Sequence, residues 1–391
     1  MEYIKLGAIC DVINGYAFKS EKYSTSGVRI IRITNVQKGY VEDASPVYYP
    51  LNTINELKKY ILYSGDLLIS LTGNVGRVAI LDKKYLPAFL NQRVACIRPK
   101  SDKILKEYLF YMLNTNLFEV KSINSSKGIA QKNISTEWLK NYVVPLPSIE
   151  IQQHLISILK KLEKAVRNKK HELRALDKLV KARFVEMFGE FPYNEKGWNI
   201  GTIRDLVSDV RYGTSKKASE NNDGKYPYLR MNNITYDGKL DLRDLKSIDI
   251  PEKDLEKYSV KKDDILFNRT NSRELVGKTC VYTIPETMIL AGFIIRVRLN
   301  ELANPLFVST FLNTDYSKQL FKTICKNASG QSNINATELQ KIKIYIPPLS
   351  LQNKFANFVQ QVDKSKFENI VYLNKTLSSK ILSQIGDVIR D

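Results

Sequence analysis

Two histidines in 391 residues leave little material for the acid–base and metal chemistry that enzymes most often use. His154 and His171 both fall on one long helical stretch, away from any candidate pocket, and are read as solvated or packing residues. The four cysteines, at 10, 96, 280 and 325, are scattered, with no C-x-x-C. That spacing excludes a disulfide framework and a zinc site, and points to buried thiols in a reducing compartment. No run approaches 18 apolar residues, and the opening Met1-Glu2-Tyr3-Ile4-Lys5-Leu6 has no apolar signal core. No membrane association and a cytoplasmic location are therefore expected. There is no G-x-x-x-x-G-K-[ST] loop and no G-x-S-x-G elbow. The Pro347-Pro348 pair sits in Ile-Pro-Pro-Leu, without the amide or carboxylate and the aromatic that hold a flipped base in amino-methyltransferases. No glycine-rich strand-to-helix turn suits S-adenosylmethionine, and no acidic cluster suits a metal nuclease. The expectation is a chain that is not an enzyme and carries no cofactor or metal.

What is abundant is positive charge. Sixty Lys and Arg oppose 41 Asp and Glu, a net of +19. Counting along the sequence, residues 1–190 carry 30 basic and 18 acidic side chains and residues 191–391 carry 30 and 23, so both halves are basic. A surface of that sign attracts polyanions and speeds their encounter. A basic protein with no anionic partner has the same composition, so charge alone does not decide.

The order of motifs is more decisive, because the chain is written twice at an offset near 200 residues. Ile30-Ile31-Arg32-Ile33-Thr34-Asn35-Val36 answers Tyr228-Leu229-Arg230-Met231-Asn232-Asn233-Ile234. Gly65-Asp66-Leu67-Leu68-Ile69 answers Asp263-Asp264-Ile265-Leu266-Phe267, and Leu113-Asn114-Thr115 answers Leu312-Asn313-Thr314. Gln131-Lys132-Asn133-Ile134 answers Gln331-Ser332-Asn333-Ile334, Pro147 answers Pro347, and Ile151-Gln152-Gln153 answers Leu351-Gln352-Asn353. So long a period excludes a solenoid and indicates duplication of a whole domain with its appendage.

Each copy begins with short β-branched and aromatic runs bounded by Gly, Asn or Ser, such as Val28 to Ile33, Asp66 to Leu71 and Val94 to Ile97. A helical stretch comes after them at Lys103 to Leu113, answered by Pro305 to Leu312. A proline signal then closes the domain, and Ser148 and Ser350 are N-cap candidates for a helix starting there. Next comes one long amphipathic stretch: Ile151, Leu155, Ile158, Leu162 and Ala165, then Leu173, Leu176, Val180, Phe184 and Met187. In the second copy the stretch is Leu351, Phe355, Phe358, Val362, then Ile370, Leu373, Leu377, Ile381 and Ile385. The four-and-three spacing is a coiled-coil seam, and roughly 38 residues make a helix of ~57 Å. Gly189 and Gly386 are the expected stops. The fold class is mixed α+β: two pseudo-symmetric globular α/β domains, residues 1–147 and 191–347, separated by two long antiparallel coiled-coil helices, residues 148–190 and 348–391. Packing of each helix on its own domain is the competing arrangement.

This order of motifs resembles the specificity (S) subunits of type I restriction-modification systems. The resemblance rests on the twofold repeat, the opening Leu6-Gly7-Ala8-Ile9-Cys10-Asp11-Val12, and Gly65-Asp66-Leu67-Leu68. It also rests on Lys127-Gly128-Ile129-Ala130-Gln131-Lys132-Asn133-Ile134, and on Pro145-Leu146-Pro147 leading to Ile151-Gln152-Gln153. The family often shows Glu-Gln after the proline motif, where Ile151-Gln152 and Leu351-Gln352 stand here. The resemblance implies that each globular part is a target recognition domain reading one half of an interrupted double-stranded DNA site. It implies that the helices set the spacer and dock two modification (methyltransferase) subunits, which hold the S-adenosylmethionine. Restriction (motor-nuclease) subunits would complete the complex. The basic strip at residues 160–183 would then face phosphates or acidic partner surfaces, unless it is simply a solvated face.

Direct readout needs Arg, Lys, Asn and Gln on loops at base edges. In the first copy the candidates are Arg32, Asn35, Lys38, Thr72, Asn74, Arg77, Gln92, Arg93, Lys127, Gln131, Lys132 and Asn133. In the second they are Arg230, Asn232, Asn233, Asn268, Arg269, Asn271, Arg273, Gln331, Asn333 and Asn335. Arg211, Lys216 and Lys217 read as phosphate anchors, which position without specifying. Arg32 and Arg230 recur at one position of domains that would read different bases, which suits a structural role equally well. A free-standing bipartite DNA-binding regulator without a methylase is the alternative function; a coiled-coil scaffold would leave two basic domains without a task.

Overall fold

The computed structural model describes residues 2–126, 133–328 and 330–390 in backbone, and their side chains except at 327, 328 and 373–390. The chain divides into two compact units, Met1–Arg167 together with Lys375–Asp391, and Asn168–Asn374.

In the first unit the run Leu67–Ser70 is buried at every position, so it is a central strand covered on both faces. It lies between Val94–Pro99 and Val78–Ile80, and Cys10–Asn14 completes an antiparallel four-stranded sheet beyond Val94–Pro99. Side chains alternate between faces with period 2. Leu67, Ile69, Ala95 and Ile97 meet the helix Lys106–Leu113 in one apolar cluster. Leu68, Val94 and Cys96 meet Ile31 and Leu90 of a second sheet in another. That sheet runs Tyr48–Tyr49, Val28–Ile31, Ala88–Leu90, Ile61–Leu62, with Val28–Ile31 parallel to Ala88–Leu90. Glu2–Lys5 pairs antiparallel with Val143–Leu146, bringing the start of the domain beside its end.

The second unit repeats this plan strand for strand. Its first sheet runs Val207–Tyr212, Ile294–Leu299, Ile265–Asn268, Thr279–Val281. Its second runs Lys246–Ile248, Tyr226–Leu229, Met288–Leu290, Ser259–Val260, again with one parallel pair, Tyr226–Leu229 and Met288–Leu290. Ile200–Thr202 closes on Lys343–Tyr345. An ion pair recurs with the sheets: Arg98 grips Asp66 through Nε and Nη2 (2.9 and 2.6 Å), and Arg298 grips Asp264 likewise (2.7 and 2.9 Å). The second unit adds a three-stranded sheet of Thr270–Asn271, Gln331–Asn333 and Lys326–Ala328.

Both long helices form, Ile149–Phe188 with 40 residues and Leu349–Arg390 with 42. Gly189 stops the first in the left-handed region, at φ 79°, and its N–H bonds the Val185 carbonyl at 2.7 Å. Gly386 does not stop the second, which continues through it to Arg390; one glycine inside a helix costs only ~1 kcal/mol, less than loss of the whole last turn. Ser350 lies within the second helix instead of capping it, since the helix begins at Leu349 and the Pro348 carbonyl receives the Leu351 and Gln352 amides. The expected helix at Lys103 opens at Lys106, because the Lys103 carbonyl and the Leu105 amide are engaged by the Gln152 side chain.

Within the second unit the two helices pack antiparallel. Lys169 Nζ donates to Asn369 (3.0 Å), Lys366 pairs with Asp177 (2.8 Å), and Phe184 packs on Phe355 with centroids 5.3 Å apart. The buried stripe of the C-terminal helix is Gln352, Phe355, Ala356, Val359, Val362 and Lys366, wider than the expected seam, and Ile370 is exposed. The stripe is wider because the helix faces the globular core as well as its neighbour: Phe184, Phe188, Phe307 and Phe355 form one aromatic cluster.

One polar feature is common to both helix starts. Gln152 is fully buried: its Nε2 donates to the Pro147 and Lys103 carbonyls (2.8 Å each) and its Oε1 accepts from the Leu105 amide (2.8 Å). Gln352, equally buried, donates to Pro347 and Leu302 (2.8 and 3.1 Å) and accepts from Asn304 (2.8 Å).

Candidate nucleic-acid interface

Three segments meet at the same end of the central sheet in each unit. In the first, the Leu71 amide bonds the Arg93 carbonyl (2.9 Å) and the Ile134 amide bonds the Leu71 carbonyl (2.9 Å). In the second, the Arg269 amide bonds the Phe293 carbonyl (3.0 Å) and the Ile334 amide bonds the Arg269 carbonyl (2.9 Å). One backbone pattern therefore presents side chains that differ at Leu71/Arg269, Gln92/Gly292 and Arg93/Phe293 and agree at Thr72/Thr270 and Asn133/Asn333. The first edge carries half-buried Thr72 beside exposed Asn133, with exposed Gln92 and Arg93 next to them. Exposed Asn74 stands in the adjoining loop, between Gly73 and Gly76 at φ 69° and 81°. Arg77 is half-buried and reaches Gln37 Oε1 at 2.7 Å. Lys127, Gln131 and Lys132 lie outside the described residues.

The second edge centres on Arg269. Its guanidinium stacks over Tyr212 (4.9 Å to the centroid) and donates to Asn333 Oδ1 (3.0 Å), while its buried Nε has no partner among the described residues. Asn333 in turn donates to Thr270 Oγ1 (3.1 Å). Asn271 is half-buried, Arg273 and Gln331 are exposed, and Arg273 Nε reaches the Lys322 carbonyl at 3.2 Å. The loop from Thr270 to Gly277 is three residues longer than its counterpart from Thr72 to Gly76. Phe293, half exposed at the position of Arg93, belongs to this edge and escaped sequence reasoning. The repeat alignment is the signal that finds it, since Ala291-Gly292-Phe293 stands where Asn91-Gln92-Arg93 stands in the first copy. An exposed aromatic there suits apolar contact with a base.

Other expected readers are turned inward, and their placement there is a correction. Asn35 is 3% and Asn233 2% exposed. Asn35 accepts from the Arg32 amide (2.8 Å) and donates to the Glu42 carbonyl and Asp43 (3.0 and 2.9 Å). Asn233 accepts from the Arg230 amide (2.8 Å) and donates to the Asp241 and Asp244 carbonyls (2.7 and 3.2 Å). Both hold a tight turn and have no hydrogen-bonding group left for a base. Arg32 and Arg230 clasp the same turns, through Ser45 (2.8 Å) and through Asp244 (2.8 Å), and their Nε atoms are buried. Asn268 is fully buried, and Asn335 caps the helix Ala336–Gln340 by accepting from the Glu338 amide at 2.9 Å. Asn232, next to Asn233, is exposed.

The cations divide in the same way. Lys38 is tied to Asn116 and Glu119 (2.7 Å each), Arg211 to Asp209 (2.9 Å) and Lys216 to the Asp249 carbonyl (2.7 Å). Lys217 is exposed, in the run Ser215-Lys216-Lys217 outside the strands. Burial pushes the Lys278 ammonium below its ordinary range, and it bonds the Met231 carbonyl at 2.9 Å beneath the Arg230 turn. A cavity of about 740 Å³ in the second unit is walled by Val180, Phe184, Phe191 and Phe311, and none of the expected readers lines it. Among the described residues no group of His, Cys, Asp and Glu could hold a metal, and no helix is long and apolar enough to cross a membrane.

The sequence profile of the type I restriction modification DNA specificity domain matches twice, over residues 1–178 and 195–378. The MjaX and MjaVIII specificity subunits of Methanocaldococcus jannaschii type I restriction enzymes are 32% identical over 187 residues and 30% identical over 184. Those matches span 47% and 46% of this chain and only 41% and 43% of the relatives, so the chain matches less than half the length of either. The EcoKI specificity subunit of Escherichia coli is 21% identical over 379 residues, 91% of this chain and 81% of that one. In fold, the chain is similar to the S subunit of a type I restriction-modification system from M. genitalium (TM-score 0.52, 15% identity, 96% of this chain and 93% of that one). It is also similar to a chain solved to explain complex assembly and conformational transition of the type I R-M system (TM-score 0.60, 17% identity, 98% and 96%).

Proposed function

Because this chain belongs to the type I restriction-modification DNA specificity family, we propose that its two repeats read the two halves of an interrupted, asymmetric double-stranded DNA target. The observation that carries this reading is the shared edge. The same three-segment backbone pattern occurs in both units, but Leu71, Gln92 and Arg93 of the first stand where Arg269, Gly292 and Phe293 stand in the second, while Thr72 and Asn133 are matched by Thr270 and Asn333. Like scaffolds bearing unlike side chains are what two different half-sites require. Residues 1–147 and 191–347 are the recognition domains. Residues 148–190 and 348–391 are the helices that set the spacer and dock two methyltransferase subunits.

The chemistry on adenine, with its S-adenosylmethionine, belongs to those partners, and restriction subunits join them in the full complex. This chain contributes binding and positioning and no catalytic group. A helix of 40 residues is ~60 Å long, enough to hold two readers one or more turns of DNA apart, at ~34–36 Å per turn. Lys217 and the basic strip at 160–183 supply phosphate contacts that add affinity without sequence preference. Exchanging residues 191–347 for the equivalent segment of another family member tests the reading. One half of the methylated motif should change and the other half should stay. A motif that changes in both halves, or in neither, would contradict it.

A further inference from the structure

The joint between each long helix and its domain is crossed by one covalent strand, Pro147–Ser148 in the first copy and Pro347–Pro348 in the second. A single strand is a hinge unless something else spans it. In both copies a fully buried glutamine, the fourth residue of the helix, does so together with apolar side chains of the following turn, Ile156 in one and Phe355 and Val359 in the other. Its amide pairs with a carbonyl and with the amide two residues further on, Lys103 and Leu105 in one copy, Leu302 and Asn304 in the other. This imitates a strand ladder with a side chain. The segment so held leads directly into the helices Lys106–Leu113 and Pro305–Leu312.

Those helices carry the restraint to the reading edge. Leu109 and Leu113 share one apolar cluster with Val75 and Val78, and Val308 and Leu312 share another with Val276. Asn313 also donates to the Thr279 carbonyl at 2.8 Å. Val75 and Val276 lie in the reading loops themselves. The path from long helix to reader is thus continuous packing inside each unit, with the glutamine as its buried polar link beside the exposed contacts Lys160–Glu107, Tyr111–Glu163 and Asn304–Asn353.

We propose that Gln152 and Gln352 are positioning residues that fix the angle between each recognition domain and its long helix, and so set how strictly the spacer length is enforced. The inference rests on the bipartite reading of the two repeats. Changing a spacer by one base pair moves a half-site by ~3.4 Å and turns it by about 35°, so a joint that swings by that much cannot tell neighbouring spacers apart. The amide touches no DNA, and the bases read at either edge do not depend on it.

The test is a methylation map of cells carrying the full methyltransferase complex with wild-type chain, Gln152→Leu or Gln352→Leu, the leucine keeping bulk without hydrogen bonds. Both half-site sequences should persist in the variants. Methylation at sites with a spacer one base pair shorter or longer should rise about ten-fold relative to wild type. Gln152→Asn and Gln352→Asn, one methylene too short to bridge, carry the same test if the leucine variants fail to fold. A uniform fall in methylation at the parental spacer, with no new spacers, would overturn the proposal and leave a purely structural role. Altered bases within a half-site would overturn it as well. Failure of all four variants to assemble would make the amide a folding requirement and contradict a positioning role. A wild-type map without any bipartite motif would instead refute the bipartite reading itself.

Discussion

Asn232 and Asn233 are neighbours of one residue type, yet replacing them should have opposite consequences. Asn233 is 2% exposed and makes three hydrogen bonds, from the Arg230 amide and to the Asp241 and Asp244 carbonyls. Asn233→Ala removes all three and leaves buried backbone groups without partners. At a net ~1 kcal/mol for each bond the loss is ~3 kcal/mol. For a unit of this size that lowers the melting temperature by roughly 6–12 °C. Asn232 is exposed, so Asn232→Ala should leave stability within about 0.5 kcal/mol. Thermal and urea unfolding of the two purified variants beside wild type gives the comparison. An Asn233→Ala protein that melts with wild type, or an Asn232→Ala protein that melts as low as expected for Asn233→Ala, would refute the assignment of the inner and outer faces of this turn.

Arg269→Ala should relax specificity in the second half-site only, by ~1–3 kcal/mol, seen as degenerate positions in one half of the methylated motif. Lys217→Ala should weaken binding to all sequences alike and shallow the plot of log affinity against log salt by about 0.9, measured by titration at several salt concentrations. Asp264→Ala strips partners from Arg298 and from the Lys261 amide and should cost ~2–3 kcal/mol, with Asp66→Ala doing the same in the first unit; urea unfolding reads both. Burial pushes the Cys10 and Cys280 thiols up to about 12 and Cys96 higher still, so all three stay neutral thiols at pH 8. Mass spectrometry after brief iodoacetamide treatment of the native protein should find Cys325 alkylated and the other three intact.

The architecture was legible because it is written in long-range order. The repeat, the β-branched runs, the proline signals and the four-and-three spacing specify two like domains of short strands with a helix, and a long helix ending at Gly189, though not how the strands divide into two sheets. What stayed hidden is the direction in which polar side chains point. Asn35, Asn233 and Arg230 are of the residue types that read DNA, but the same hydrogen-bonding capacity holds a tight turn. Only the path of the turn decides between the two. The repeat carried a partial warning: asparagine and arginine recurring at one position in both copies serve what the copies share. Phe293 was missed for the opposite reason, since an apolar residue in a strand-rich segment reads as core until its exposed place at the edge is seen. Gln152 and Gln352 stood out only as part of a motif; that each bridges a joint is a matter of burial.

Adenine methylation mapping in cells that express this chain together with a type I methyltransferase subunit, against cells that express the methyltransferase without the chain, tests the central claim most directly. The expected result is one new motif in two unlike halves separated by a spacer of fixed length, absent without the chain. Methylation that appears in both strains alike, or a motif without an internal gap, would contradict it.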